Sequence, residues 1–409
     1  MLISKLREVL RNPLMLAFYL PGLMLSVSDG MLVPVLPIYA KELEASYGLV
    51  GLVLAGEGLG MLLGDVPAGV LMRRFGQKGS IVIGTVGVVI ATVSLFFPQP
   101  ILMVVFWRVV SGLGRALWSV ARHAYIAEAV GLASRGRAIA LLGGTMRIGR
   151  FFGPVVGGIV AAQYGLRSAF LGYGVLGVLS AVAVIAFTHP DRRVAGHAPT
   201  GSAGYLGHLL AVIKAHYRVL LSAGLGQILA QAIRAGRGVI IPLYASDVIG
   251  LDVDAIGYIV SISSAIDMVL FYPAGVIMDR IGRKMAIVPS FLLQGIGMLL
   301  VPLTSSFAAL AFAATLIGFG NGLGSGSMMT VGADLAPRDR RGEFLGVWRL
   351  IGDVGASGGP LAVGGVADLV TLPMAAWVMC GVGLAATVVF AALVPETLRK
   401  RHRAVSAAP

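Results

Sequence analysis

Charge is scarce in this chain: Asp, Glu, Lys and Arg make up 12% of its 409 residues, about half of the roughly 25% found in an ordinary soluble domain. Cysteine is nearly absent. Cys380 stands alone in an apolar stretch, which excludes a disulfide within the chain and any cysteine-based metal cluster. The six histidines, His123, His189, His197, His208, His216 and His402, show no metal-ligand spacing and accompany no nucleophile motif. No metal site, no cofactor and no enzyme activity are therefore expected. A glycine-rich phosphate loop of the Walker kind is also missing, which argues against direct use of ATP. The N-terminal MLISKLREVLRNP is charged and leads straight into a long apolar stretch, so no removable signal peptide is expected.

What remains is apolar. Hydrophobic residues account for 57% of the chain, and the mean hydropathy is +0.88. Twelve stretches, from 14–40 to 373–394, reach the roughly 20 residues that cross a hydrocarbon core. The expectation is an all-α membrane protein with twelve transmembrane helices. The net charge of +13 is explained by where the basic residues fall. Alternate loops and the termini carry Lys5, Arg7 and Arg11, then Arg73, Arg74 and Lys78, then Arg135 and Arg137, Arg192 and Arg193, Arg280, Arg283 and Lys284, Arg338, Arg340 and Arg341, and a basic tail from Arg399. The intervening loops hold only Lys41 and Arg167. By the positive-inside rule both termini are cytoplasmic. The basic excess is an orientation signal rather than a nucleic-acid footprint, and an integral plasma (inner) membrane location follows.

The polar stretch HPDRRVAGHAPTGSAGYLGH at 189–208 divides the helices six and six. The domain expectation is an N-terminal bundle over 1–188, a cytoplasmic linker over 189–218, a C-terminal bundle over 219–394 and a basic tail over 395–409. One constant offset, the separation of Pro67 from Pro273, also carries Gly112 onto Gly318, Arg135 onto Arg341, Gly149 onto Gly355, Gly153 onto Gly359, Pro154 onto Pro360 and Gly158 onto Gly364. Each half has an even number of helices, so the copies enter the membrane in the same sense. That is a parallel repeat about an axis along the membrane normal.

GVIMDRIGRK at 275–284 resembles the loop signature between the second and third helices of each half in the major facilitator superfamily. RVVSGLG from Arg108 is similar to that superfamily's fourth-helix motif, GRFFGPVVGG at 149–158 to the fifth-helix motif of its antiporters, and PVLPIY at 34–39 to the first helix of its twelve-helix drug-proton antiporters. The resemblance covers nearly the whole chain. It implies two six-helix bundles that move a solute by alternating access. The residues also explain themselves: Gly149, Gly153 and Gly157 share one helix face and permit close helix approach, and Pro154 can bend that helix.

Buried charge locates the polar path, because a charged group at mid-bilayer normally faces a bundle interior or an aqueous cavity. Helices 3, 6, 9 and 12 carry no Asp, Glu, Lys or Arg, so every third helix is expected to face lipid. Arg108, Arg115 and Arg122 recur every seven residues and form one stripe on helix 4. Arg122 lies near the cytoplasmic surface, where snorkelling is the expected role, whereas Arg108 is deep and matches the superfamily arginine implicated in proton handling. Asp29, Glu57, Arg108 and Asp267 are the proton-coupling candidates, with Asp29 foremost. Asp29 with Arg108 and Asp353 with Arg147 are the expected pairs; static ion pairs joining helices are the competing role. Arg115, Arg147, Arg150, Gln231, Arg234, Arg237, Asn321 and Asp353 are the cavity candidates. The arginines outnumber the acids, and Arg234 with Arg237, preceded by Gln227 and Gln231, could clamp a carboxylate or phosphate.

The leading functional expectation is a secondary transporter of a small organic solute, exporting it in exchange for protons, with the proton gradient as driving force. The alternatives are a facilitator, symporter or flippase for an organic anion, an amphiphile or an acidic lipid, and a membrane receptor or channel that transports nothing. The cytoplasmic gate candidates are Gly69, Arg73, Gly76, Lys78 and Arg137 in the first half, and Gly275, Asp279, Arg280, Gly282, Arg283 and Glu343 in the second. Gly149, Gly153, Pro154, Gly157, Gly158, Gly359 and Pro360 are the packing candidates of helices 5 and 11. GVLMRRFGQK at 69–78 puts Arg73 where GVIMDRIGRK has Asp279. By the resemblance, each loop signature meets the start of the opposite half's fifth helix, so Asp279 would face Arg137 and Arg73 would face Glu343. The expectation is two complementary latches with the sign reversed in one.

Overall fold

The computed structural model describes residues 15–129, 132–188, 202–337 and 340–398; side chains are not described at 17, 66, 126–140, 142 and 202–212. Helix α1 runs Leu20–Glu42, with Pro21 in its first turn, where a missing N–H costs nothing. A helical rod over Tyr47–Val93 is broken at Gly76, whose φ of 74° and ψ of 178° suit only glycine. The break yields α2 (47–75) and α3 (77–93). There follow α4 (Ile101–Ala129), α5 (Leu132–Tyr164) and α6 (Ser168–Phe187). The second half contains α7 (Ser202–Leu243), α8 (Val253–Arg280) and α9 (Arg283–Leu300), then α10 (Phe307–Leu335), α11 (Arg341–Leu369) and α12 (Leu372–Val388). Within α10 the helix is interrupted between Leu323 and Ser327, with Gly326 at φ 75°.

Eleven of these helices are long and apolar enough to cross a membrane. The twelfth, α5, is 33 residues long, about 50 Å at 1.5 Å per residue, and carries Arg147 and Arg150. Among the described residues there is no strand. Of the segment expected as a linker, residues 189–201 lie outside the described residues, and the helical backbone of α7 already begins at Ser202. The tail is described to 398 only.

The two halves pack alike. In the first, α1 lies on α5, and α2 and α3 lie on α4; in the second, α7 lies on α11, and α8 and α9 lie on α10. Between halves, α2 meets α11 and α5 meets α8. The uncharged helices lie outside: Val175, Val178, Val182 and Ile185 of α6 are exposed, as are Ile83, Val86 and Ile90 of α3. An exposed apolar band on a chain of this composition is a lipid-facing surface.

Glycines decide which end is closed. A Cβ on Gly51 would lie 2.5 Å from the Pro360 carbonyl oxygen and 3.3 Å from Gly364 Cα, across the halves. Its repeat equivalent Gly257 meets the Pro154 carbonyl and stands 3.3 Å from Gly158 Cα. These contacts lie toward the end that carries the loops at 43–46, 165–167 and 250–252. At the same end the Tyr47 hydroxyl donates to Asp247 at 3.0 Å, and the Gly48 N–H donates to Asp368 at 2.8 Å, each bond crossing between halves. Toward the other end a Cβ on Gly69, Gly143, Gly144 or Gly275 would meet nothing within 4 Å. Among the described residues, close backbone contact between the halves is thus found at the first end, while toward the end bearing the Gly76 and Gly282 loops the glycines named have no such contact.

Candidate transport pathway

A glycine seam positions the first charge cluster. A Cβ on Gly56 would lie 2.9 Å from Arg108 Cβ, and one on Gly112 2.7 Å from Gly60 Cα. With α2 and α4 in backbone contact, Glu57 is held against the arginine stripe. Its carboxylate accepts from Arg108 at 2.5 Å and pairs with Arg115 Nε. Arg115 also grips Asp29 with both terminal nitrogens, at 2.9 and 2.5 Å. The Tyr173 hydroxyl donates to Asp29 Oδ1 at 3.2 Å. Two acids and two bases therefore form one connected, neutral network between α1, α2 and α4. In a low-dielectric interior that neutrality matters, because removing one member leaves an uncompensated buried charge, at about 3–5 kcal/mol.

The pairs expected from the sequence are not formed. Asp29 takes Arg115 rather than Arg108, and Arg147 takes Asp267 (3.8 Å) rather than Asp353. Asp353 instead lies 3.7 Å from Arg349, which also reaches Asp65 across the halves at 3.4 Å. Arg122 does not snorkel. It is 5% exposed and stacks over the Trp118 ring at 3.8 Å, with Nε and Nη1 lacking hydrogen-bond partners among the described residues. The reason is local: Phe18, Leu25, Ile81, Trp118 and Val184 form a second apolar cluster around this turn of α4.

A second cluster lies between α5, α7, α8 and the interruption of α10. Arg147 stacks 4.2 Å from the Phe271 ring and donates to Ser325 Oγ. Arg234 donates to Gln231 Oε1 at 3.2 Å and to the Gly324 carbonyl at 2.9 Å. Arg150 and Arg237 form no hydrogen bond or ion pair with any described residue. Asn321 is half-buried one turn before the break and likewise forms no hydrogen bond with a described residue. Three arginines, Arg147, Arg234 and Arg237, thus lie within electrostatic reach of one acid, Asp267, and Arg150 lies near all three. Asp267 Oδ1 is buried without a hydrogen-bond partner among the described residues.

The loop candidates divide in two. Lys78 donates to the carbonyls of Ile185 and Thr188, and its repeat equivalent Lys284 to that of Ala391, each closing the end of the last helix in its own half. Arg283 bridges Asp279 at 2.7 Å and Asp334 at 3.1 Å, again within one half. Arg73 is exposed, and no Arg73–Glu343 ion pair is formed in this state. The Arg137 side chain lies outside the described residues, and Arg280 is exposed.

Gly149, Gly153 and Gly157 all face α1: Cβ atoms on the last two would stand 2.5 Å from the Cα atoms of Gly30 and Met31. Gly359 does the same for α7, 3.0 Å from Ala232 Cα. Sequence reasoning missed Tyr173, 1% exposed in a helix expected to face lipid only. Its signal was a lone hydroxyl-bearing ring among aliphatic residues. It also missed the α10 interruption, although GLGSGS at 322–327 is rich in glycine.

A family model described as the Major Facilitator Superfamily matches residues 18–224 and again 223–409. An uncharacterized MFS-type transporter of Methanocaldococcus jannaschii is 24% identical over 346 residues, covering 83% of this chain and 87% of its own length. A multi-drug resistance efflux pump of Streptococcus pneumoniae is 25% identical over 311 residues, covering 72% of this chain and 74% of its own. Among solved structures, a bacterial homolog of the human lysosomal transporter Spinster, inward-facing and occupied, superposes with a TM-score of 0.75 at 16% identity, covering 93% of this chain and 96% of that one. A D-xylose-proton symporter gives 0.73 at 20% identity, covering 94% and 98%.

Proposed function

Because the chain belongs to the major facilitator superfamily, we propose that it exports a small organic solute in exchange for protons by alternating access, and that the state described here is the one open to the cytoplasm. The observation that carries this reading is the Asp29–Arg115–Glu57–Arg108 network at mid-membrane. Protonating Asp29 removes one of the two charges that Arg115 balances. That leaves Arg115 to Glu57 and loosens α1 from α4. A site that alternates between paired and released forms takes up a proton on one side and gives it back on the other. The orientation rests on the basic loops lying at the open end. The export direction is supported by the multidrug resistance names carried by relatives that cover part of the chain.

The test is flux in proteoliposomes under an imposed pH gradient, using solutes first selected by thermal stabilisation of the purified protein. Gradient-driven flux is expected, with Asp29→Asn abolishing the response to the gradient while solute-for-solute exchange persists. Flux that ignores the gradient and is unchanged by Asp29→Asn overturns the proton role.

A further inference from the structure

The two charge clusters lie at one depth but differ in balance. Counting from the closed end at 1.5 Å per residue, Asp29 and Arg115 lie about 20 Å in, Arg147, Arg150 and Asp267 about 21–25 Å in, and Arg237 about 18 Å in from the end of the helical turn Tyr244–Ile249 that continues α7. The first cluster is neutral, with each carboxylate fully engaged. The second has four guanidiniums against one carboxylate. Uncompensated charge in a membrane interior is costly, so the excess is useful only if something arriving from solution neutralises it.

An anion fits the arrangement of that excess. Arg147 and Arg150 are three residues apart on α5, and Arg234 and Arg237 three apart on α7, so each pair shares one helix face. Arg234 lies within electrostatic reach of the other three. One pair belongs to each half, so a ligand held by both pairs sits between the halves. Two of the four, Arg150 and Arg237, have their donors unspent on any described residue. The other two hold replaceable partners: Arg147 the Ser325 hydroxyl and a distant Asp267, Arg234 the Gly324 carbonyl. Ser325 and Gly324 are the interruption of α10. Irregular backbone at membrane depth is tolerated where it lines a cavity, and such broken helices form substrate sites in transporters.

We propose that the solute is an organic dianion, a phosphate monoester in its simplest form, whose head group is held between Arg147 and Arg150 of α5 and Arg234 and Arg237 of α7. It displaces Ser325 and Gly324 from their arginines and so frees the interrupted segment of α10. Planar guanidiniums match phosphate oxygens two at a time, and a dianion uses more of the excess charge than a monoanion does. A cationic solute would meet repulsion here. The proposal rests on the transport reading for its biological sense but not for its test.

The test is binding to the purified protein in detergent. Phenyl phosphate, benzoate and benzyltrimethylammonium serve as dianionic, monoanionic and cationic probes, read by calorimetry and thermal shift. Phenyl phosphate is expected to bind more tightly than benzoate, and the cation not at all. Arg237→Gln and Arg150→Gln are each expected to weaken phenyl phosphate by about tenfold to a hundredfold, the loss of one charge-assisted contact. Arg150 is exposed, which guards against a folding failure, and Arg167→Gln at the closed end should leave binding unchanged. Adding phosphatidic acid in nanodiscs separates two sources of the same head group: displacement of phenyl phosphate assigns the site to a lipid, and its absence to a soluble phosphomonoester. Preference for the cation, or phenyl phosphate binding indifferent to both arginine variants, overturns the proposal. Failure here with gradient-driven flux intact sinks only the dianion. Binding with gradient-independent flux sinks only the proton exchange.

Discussion

Glu396 follows α12 and lies beyond the membrane-spanning segments, with its carboxylate on the start of α9. It accepts from the backbone N–H groups of Arg283 and Lys284 at 3.0 Å and of Leu398 at 2.8 Å. Partial burial pushes its pKa up, but these donors outweigh burial and hold it below the ordinary carboxylate value. A pKa lower in the folded than in the unfolded chain stabilises the fold above the unfolded value, and that contribution is lost as pH falls through the folded value. Glu396→Gln is therefore expected to lower the thermal midpoint in detergent at pH 7, by an amount on the order of 1 kcal/mol or less. The gap should close only as pH falls through the folded-state pKa, which lies below the ordinary carboxylate value of about 4.3, because only there is the folded wild type neutral too. An equal gap above and below that pKa would mean that the carboxylate does not act as a cap. Charge pairing inside the bundle depends on position in a related way. The seven-residue stripe showed which face of α4 is polar but not which arginine meets which acid. Depth settles that: at 1.5 Å per residue, Asp29 and Arg115 are both about 20 Å from their ends, and Glu57, about 15 Å in, falls between Arg108 and Arg115. Periodicity reads the face, whereas pairing also needs the level.

At the scale of the element, α5 and α11 each present two glycine-lined faces with different duties. Gly149, Gly153 and Gly157 keep α1 against α5 within one half, whereas Gly158 and the Pro154 carbonyl receive Gly257 from the other half. The first contact lies within one bundle and the second between the bundles, so in the proposed cycle the first persists and the second is broken when that end opens. Gly153→Ala is expected to destabilise the whole protein by about 1–3 kcal/mol, because backbone on α1 must move. Gly257→Ala is expected to leave the bundles intact and shift the population toward a state opened at the closed end, seen as longer spin-label distances between positions 44 and 371. Equal loss of thermal stability in both variants, with unchanged distances, would erase the distinction. The repeat that relates these faces was legible in the sequence because the glycines and prolines recur in register. Which face meets its own half and which crosses to the other was not, since both need small residues for the same reason. Tyr173 was hidden by an argument from charge alone: α6 has none, yet its hydroxyl completes the Asp29 cluster.

For the whole molecule, the proposed alternating-access cycle closes the two ends in turn, and their chemistries differ. The closed end is held by close backbone packing, the Tyr47–Asp247 bond and the Asp368 carboxylate on the first turn of α2. The open end carries Arg73 and Glu343, each accessible and not joined to the other. In the second half, Asp279 is occupied by Arg283. Its repeat equivalent cannot form that bond, because Arg73 replaces the aspartate and Gln77 replaces the arginine. The Asp279–Arg283 pair is nevertheless a weak competitor for a latch, since Asp279 is 74% exposed and exposed pairs contribute about 0–1 kcal/mol. Closing the open end brings the loop signatures toward the starts of α5 and α11. There Arg73 meeting Glu343 would favour the closed form by up to about fivefold. Arg73→Asp is accordingly expected to slow transport and to lengthen spin-label distances at that end, and Arg73→Asp with Glu343→Arg to restore both. Restoration by the double variant alone is the signature of a pair, because either single change merely alters loop charge. If Arg73→Asp impairs transport and the reversed pair does not rescue it, Arg73 acts through the membrane-orienting charge of its loop and the sign reversal between the two halves has no role in closure.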